Sequence, residues 1–167
     1  MDHLSYQLAE EVGKQLVEKQ NWLCVAESCT GGLIGHLITN IAGSSNYFLG
    51  GVQAYSYQTK VDVVGVKQST LDHFGAVSQE TALEMAMGVR QLFSPQCALH
   101  KLVSLSVTGI AGPGGGTPQK PVGLVWIGLS SRQGNFAWKH CWNGDREKNK
   151  MDSAIAAMEH LLEILRN

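Results

Sequence analysis

The sequence predicts an α/β fold, a three-layer α/β/α sandwich built on a mixed sheet of about five strands. Three observations point there. Short apolar runs rich in β-branched residues, such as Trp22–Val25 and Leu102–Val107, alternate with stretches of helical period over the first two thirds of the chain. That alternation is the pattern of strands joined by helical crossovers. The last two apolar runs, Val122–Leu129 and Phe136–Trp142, are separated only by a turn around Arg132-Gln133-Gly134, which reads as a hairpin. Finally, 167 residues that are 44% hydrophobic and 16% charged suit one compact domain over residues 1–167, with no internal repeat and no linker.

Each element has its own signal. Leu4, Leu8, Val12 and Leu16 recur every four residues among polar neighbours, the stripe of an amphipathic helix. Lys19-Gln20-Asn21 turns the chain into the first strand. Ala26-Glu27-Ser28-Cys29-Thr30-Gly31-Gly32 then leads into a helix over about residues 31–40, capped by Ser28 or Thr30. Small polar residues make 42–46 a loop. Gly50–Tyr57 reads as a strand, with Val52, Ala54 and Ser56 on one face and Gln53, Tyr55 and Tyr57 on the other. Gln58-Thr59-Lys60 opens a helical turn ending near Gly65, and Leu71 and Phe74 mark a second before Gly75. Ser78 caps a helix with Glu80 in its first turn and Ala82, Met85, Ala86 and Val89 inward, ending before Pro95. Asn143-Gly144-Asp145 caps a last helix that buries Ile155, Met158, Leu162 and Leu165.

Composition excludes several functions. A net charge of −1 supplies no basic excess for gripping nucleic acid. No apolar run approaches the ~18 residues of a membrane span, and Met1-Asp2-His3-Leu4 lacks the basic and apolar regions of a signal peptide. A cytoplasmic chain is the expectation. Cys24, Cys29, Cys97 and Cys141 form no CxxC pair and the six histidines are scattered, so no metal site is expected. In a reducing compartment these cysteines act as small apolar fillers.

Two stretches carry chemistry. The Ser28 turn presents a hydroxyl, a thiol and a second hydroxyl at a helix start, where free N–H groups favour anions. It serves equally as a capped turn, a phosphate anchor, or a nucleophile whose product is an oxyanion. Cys29 shares the position, and a helix N-terminus lowers a thiol pKa. The second stretch is Gly109-Ile110-Ala111-Gly112-Pro113-Gly114-Gly115-Gly116. It lacks the Gly-Lys-Ser/Thr of a P-loop, and it leads into a strand rather than a helix, unlike a Rossmann turn. A loop with so many glycines offers backbone N–H groups to a ligand. Tyr55 and Lys60, five residues apart, reach one crevice if Tyr55 ends a strand. A desolvated lysine can then serve as base for a serine, with the tyrosine relaying protons. The alternative is a solvated lysine beside a packed tyrosine. Asp145-Arg146 is either a cap with a solvated charge or an arginine that grips phosphate or carboxylate.

AESCTGGL (Ala26–Leu33), IAGSS (Ile41–Ser45), AYS with Lys60, GAVS (Gly75–Ser78), TGIAGPGGGTPQKPVG (Thr108–Gly123) and GDR (Gly144–Arg146) occur in the order of the CinA C-terminal domain family, which the chain resembles from about Glu10 to the last helix. The resemblance implies an α/β/α domain that hydrolyses the carboxamide of nicotinamide mononucleotide to the acid and ammonia, with no cofactor. It also implies self-association, as a dimer, and a domain standing without the molybdopterin-binding-like one of two-domain members. Carried over, Ser28 is the nucleophile with Tyr55 and Lys60 as its partners. Thr30, Gly31 and Gly32 lie beside it, Thr108, Gly109, Gly112, Gly114 and Gly115 line the nucleotide pocket, and Arg146 holds phosphate or carboxylate. Related members often follow GDR with a hydrophobic residue and a second arginine. Here Glu147-Lys148-Asn149-Lys150 stands there, and Lys150 keeps the charge without the guanidinium fork. The competing expectations are a nucleotide-binding or regulatory module without turnover and a hydrolase or redox protein using Cys29.

Overall fold

Strand pairing places the three most buried strands, Trp22–Glu27, Leu102–Gly109 and Leu124–Ser131, inside the sheet and the two more exposed ones at its edges. The computed structural model describes residues 3–167. Along the chain run α1 (His3–Glu18), β1 (Trp22–Glu27), α2 (Leu33–Thr39), β2 (Phe48–Gln53), α3 (Tyr57–Asp62), α4 (Gln68–Phe74), α5 (Gln79–Phe93), β3 (Leu102–Gly109), β4 (Leu124–Ser131), β5 (Gly134–Cys141) and α6 (Arg146–Arg166). The sheet order is β2-β1-β3-β4-β5. β1 is parallel to both β2 and β3, and β3-β4-β5 is an antiparallel meander. The fold is therefore α/β with a five-stranded mixed sheet flanked by helices. Among the described residues no helix is long and apolar enough to cross a membrane.

One face of the sheet packs against α1, α2 and α6, through Val12, Leu16, Ile34, Leu37, Met158, Leu161 and their neighbours. The other face is covered by α5 and the short helices before it, around Val64, Leu71, Met85 and Val89. α5 lies unusually close to the sheet. Ser104 and Ser106, buried in β3, donate to the Ala86 and Ala82 carbonyls of α5 at 2.7 and 2.6 Å, which satisfies both hydroxyls inside an apolar layer. A Cβ at Gly88 would overlap the Val64 carbonyl, so that position admits no side chain.

Several boundaries move from the expected ones. The buried stripe of α1 is Ser5, Ala9, Val12, Gly13 and Leu16, whereas Leu4 is 63% exposed and Leu8 only partly buried. The true face thus lies beside the four-residue repeat, because 3.6 residues per turn rotates that repeat off the core. β2 runs Phe48–Gln53, not Gly50–Tyr57, because its partner β1 ends at Glu27 and Ser56 already caps α3 by accepting from the Thr59 N–H at 3.0 Å. Tyr55 and Tyr57 consequently lie outside the strand. α2 spans Leu33–Thr39, and neither Ser28 nor Thr30 caps it. Ile155 is half-buried, with Asn149, Ser153 and Leu161 inside instead. The caps by Ser78 and Asp145 and the two-residue hairpin turn at Arg132-Gln133 form as expected.

The shifted stripe is tested by alanine substitution. Leu16→Ala should cost about 2–5 kcal/mol in denaturant unfolding, whereas Leu4→Ala should stay within about 0.5 kcal/mol of wild type.

Candidate active site

The parallel strands β1 and β3 end side by side, and their connections leave in opposite directions. Such a switch point opens a crevice beyond the carboxyl ends of the strands. Ser28 follows β1 and Thr108 closes β3 at this crevice. A cavity of about 310 Å³ fills it, lined by Ser28, Tyr55, Lys60, Thr108, the Gly109–Gly115 loop and Arg146, among others.

Lys60 is the centre of the site. It stands on α3 and is 1% exposed. Its Nζ lies 3.0 Å from Ser28 Oγ, 2.7 Å from the Ala54 carbonyl oxygen and 3.2 Å from that of Tyr55. Burial brings its pKa down to about 8, with the neighbouring Cys29 acting weakly the other way. The ammonium donates one N–H to each of these three oxygens, and the neutral amine keeps both carbonyls. Its two N–H bonds meet them, and the remaining lone pair faces the serine hydroxyl.

The Ser28 turn is held from behind by Glu27. This carboxylate, 2% exposed, accepts from the Gly32, Ile34 and Gly35 N–H groups at 3.0, 3.1 and 2.9 Å. The start of α2 is thus filled by the protein's own anion, and Gly32 N–H is not available to a ligand. Ser28 N–H donates to the Val107 carbonyl at 2.9 Å and Gly31 N–H to the Ser28 carbonyl at 3.1 Å. Among the described residues no carbonyl or carboxylate accepts from the Cys29 or Thr30 N–H, and both lie against the Cys29 sulfur. Cys29 itself is 7% exposed, and burial pushes its thiol up to about 12. A helix N-terminus that binds a carboxylate does little to ionise the thiol beside it. The Thr30 Oγ1 is buried without a described partner.

Tyr55 takes a different place from that of a relay between Ser28 and Lys60. Its side chain is 62% exposed, and its hydroxyl accepts from Arg146 Nη2 at 3.1 Å. Arg146 Nη1 also donates to the Gly112 carbonyl at 2.6 Å. Thr108 Oγ1 donates to the Ala76 carbonyl at 2.6 Å, and Lys120 Nζ reaches the Phe74 and Val77 carbonyls at 2.6 and 2.8 Å. These bonds tie the Gly75–Val77 segment to the glycine loop, forming one wall. Gly112, Gly114 and Gly115 N–H groups donate to no described acceptor, so the loop keeps free donors at the cavity.

The structure therefore gathers Ser28, Lys60, Tyr55, Thr108, Gly109, Gly112, Gly114, Gly115 and Arg146 around one cavity. It leaves Thr30, Gly31 and Gly32 outside the lining, with Gly31 beside Lys150 and Gly32 beside Gln53. Glu27 and Asn149 were absent from the sequence-level set. An acidic residue directly before the glycine-rich helix start was the available signal for the first. The second had none.

The model of the CinA C-terminal domain matches residues 5–165. A nicotinamide-nucleotide amidohydrolase PncC from Enterobacter agglomerans is 42% identical over 164 residues, 97% of this chain and 96% of that protein. A putative competence-damage inducible protein from Halothermothrix orenii is 49% identical over 160 residues, covering 95% of this chain and 37% of its own length. The chain likewise spans 36% and 34% of two further CinA-like relatives. Among solved structures, the competence/damage inducible protein CihA from Agrobacterium tumefaciens superposes with a TM-score of 0.90 at 35% identity, over 100% of this chain and 98% of that one.

Lys60 leaves a signature in stability. Between its folded value of about 8 and the ordinary 10.5, the unfolded chain binds more protons, so stability rises with pH across that window. Below pH 8 the full cost of burying the ammonium is present. Denaturant unfolding between pH 7.5 and 10.5 should show this rise in wild type and lose it in Lys60→Met.

Proposed function

The chain belongs to the CinA C-terminal domain family, and from that premise we propose that it is a nicotinamide-nucleotide amidase, converting nicotinamide mononucleotide and water to nicotinic acid mononucleotide and ammonia. The observation that carries the reading is the buried Lys60 amine, 3.0 Å from Ser28 Oγ with its pKa near 8. A serine is a weak nucleophile without a base, and a lysine serves only when desolvation keeps part of it neutral. The PncC relative, matched over nearly both lengths, supports the substrate.

The reaction proceeds by acyl transfer. Ser28 Oγ attacks the carboxamide carbon while its proton passes directly to Lys60 Nζ. The carbonyl π electrons move onto oxygen, and in this scheme the Cys29 and Thr30 N–H groups, which donate to no carbonyl or carboxylate, turn from the Cys29 sulfur to that oxyanion. When the tetrahedral intermediate collapses, the C–N bond breaks and the Lys60 ammonium protonates the leaving nitrogen, releasing ammonia. Water then attacks the acyl-serine, gives its proton to Lys60, and the C–Oγ bond breaks. Ser28 recovers its proton from Lys60, and the acid gives its remaining proton to water as it leaves as the carboxylate. Tyr55 takes no proton in this scheme. Its carbonyl holds Lys60 and its hydroxyl holds Arg146. Arg146 and the free glycine-loop N–H groups receive the phosphate, which completes a guanidinium already anchored on Gly112.

The reading is tested by ammonia release. Nicotinamide mononucleotide should be hydrolysed with kcat/KM rising through a limb near pH 8, as Lys60 loses its proton. Ser28→Ala and Lys60→Met should fold and lose at least about 10³-fold in kcat. Binding of the mononucleotide without turnover in wild type would identify a nucleotide-binding module instead. Full activity in Ser28→Ala would overturn the nucleophile.

The phosphate contact is tested separately. Arg146→Ala should raise KM for the mononucleotide by about tenfold or more, while the riboside, which lacks the phosphate, should lose little.

A further inference from the structure

The glycine loop is free of regular structure, yet two successive carbonyls in it are gripped from one helix. Arg146 Nη1 donates to the Gly112 carbonyl, and Asn149 Nδ2 donates to the Ala111 carbonyl at 3.0 Å. Residues 146 and 149 are three apart on α6 and share a face. Arg146 is exposed, but Asn149 is 1% exposed and makes its bonds away from water. Its Oδ1 accepts from the Gly144 N–H at 3.0 Å, so one amide ties the loop to the turn that carries Arg146. The Asn149 carbonyl accepts from Ser153 Oγ at 2.6 Å, and Ser153 Oγ accepts from Trp142 Nε1 at 2.9 Å. The backbone of residue 149 is thus tied through Ser153, one turn on in α6, to Trp142 just past β5.

A trans peptide plane sends its C=O and N–H in opposite directions. Asn149 holds the C=O of the Ala111–Gly112 peptide, so the N–H of the same peptide, on Gly112, is turned away from the helix. Gly112 lines the cavity, and this N–H has no described acceptor. The following nitrogen belongs to Pro113 and has no hydrogen. Asn149 therefore fixes the direction of the one donor this corner of the loop possesses. A hydrophobic side chain at 149 would leave the buried Ala111 carbonyl and the half-buried Gly144 N–H without partners.

We propose that Asn149 is a positioning residue of this site, aiming the Gly112 N–H at an anionic group of the bound nucleotide and holding the Arg146 turn in register with it. The proposal deepens the amidase reading and rests on it for the identity of the ligand. Asn149 touches no reacting atom. It acts through Ala111 and Gly144.

Asn149→Asp is nearly isosteric, keeps the acceptor for Gly144 and turns an oxygen onto the Ala111 carbonyl. Two measurements are made on the full chain. In hydrogen exchange, the amides that close the base of the loop, Ile110 and Gly123, which donate to the Leu124 and Ile110 carbonyls, should lose protection relative to wild type while the rest of β3 and β4 keeps its own. The loss should reverse as pH falls and the introduced carboxyl, once protonated, donates to Ala111 again. In ammonia release, KM for nicotinamide mononucleotide should rise about tenfold with kcat within about twofold. Asn149→Ala, which removes the repulsive oxygen, should loosen the loop without the pH reversal and serves if the aspartate does not fold. Wild-type exchange in the loop together with wild-type KM would overturn the proposal, as would a uniform loss of protection in which kcat and KM move together. Failure of the amidase reading looks different. Wild type would then release no ammonia, while Asn149→Asp would still loosen the Ile110 and Gly123 amides selectively, and the positioning role would stand.

Discussion

A lysine amine buried against a serine hydroxyl is the constraint around which this fold closes. An isolated ammonium in the interior is costly, and the chain answers with two backbone carbonyls, Ala54 and Tyr55, just outside β2. These carbonyls are free because the strand stops at Gln53. Had β2 continued to Tyr57, the ladder would have competed for them and Lys60 could not have turned back to Ser28. The early end of β2, the cap at Ser56 and the single turn of α3 are thus parts of one device. It delivers a desolvated amine to the end of β1.

The neighbouring turn follows the same logic from the opposite sign. Glu27 is buried one residue before Ser28 and takes three N–H groups from the start of α2. The helix terminus is satisfied internally, so the turn stays rigid before any ligand arrives. This also separates Ser28 from Cys29. Both residues are nearly covered, yet Ser28 Oγ meets an amine, while the thiol is held in its neutral form by burial. Adjacent in sequence, the two side chains are made different by where they point.

Much of this was legible in the residues. The alternation of runs gave the layers, the short turn gave the hairpin, and Ser78 and Asp145 announced their helices by local capping chemistry that needs no tertiary partner. The failures share a cause. Leu4 and Leu8 fit a four-residue repeat with Val12 and Leu16, but which side of a helix meets the core depends on what packs there, and Ser5 and Ala9 took the buried places instead. Tyr55 extended the alternation of a strand that had already lost its neighbour. Its hydroxyl found Arg146, 91 positions away, and Asn149 found Ala111 across 38. No local pattern encodes such pairs. Spacing could bring Tyr55 and Lys60 to one crevice, but not decide which atom of Tyr55 would matter there.

Tyr55 joins the two halves of the cavity in a way that bears on the proposed substrate. Its carbonyl meets Lys60 and its hydroxyl meets Arg146, so the amine and the guanidinium stand at opposite ends of a single residue. Nicotinamide mononucleotide is itself divided, with a cationic pyridinium bearing the carboxamide at one end and an anionic phosphate at the other. In the proposed orientation the phosphate meets Arg146 and the loop donors. The pyridinium approaches Lys60, where a positive ring further disfavours the ammonium. Binding thus drives the base toward the form that takes the serine proton. A neutral amide of similar shape would bring no such push, and it would present a less electrophilic carbon to Ser28. On the proposed reading, faster turnover of the cationic ring than of a neutral one would rest on this one buried amine.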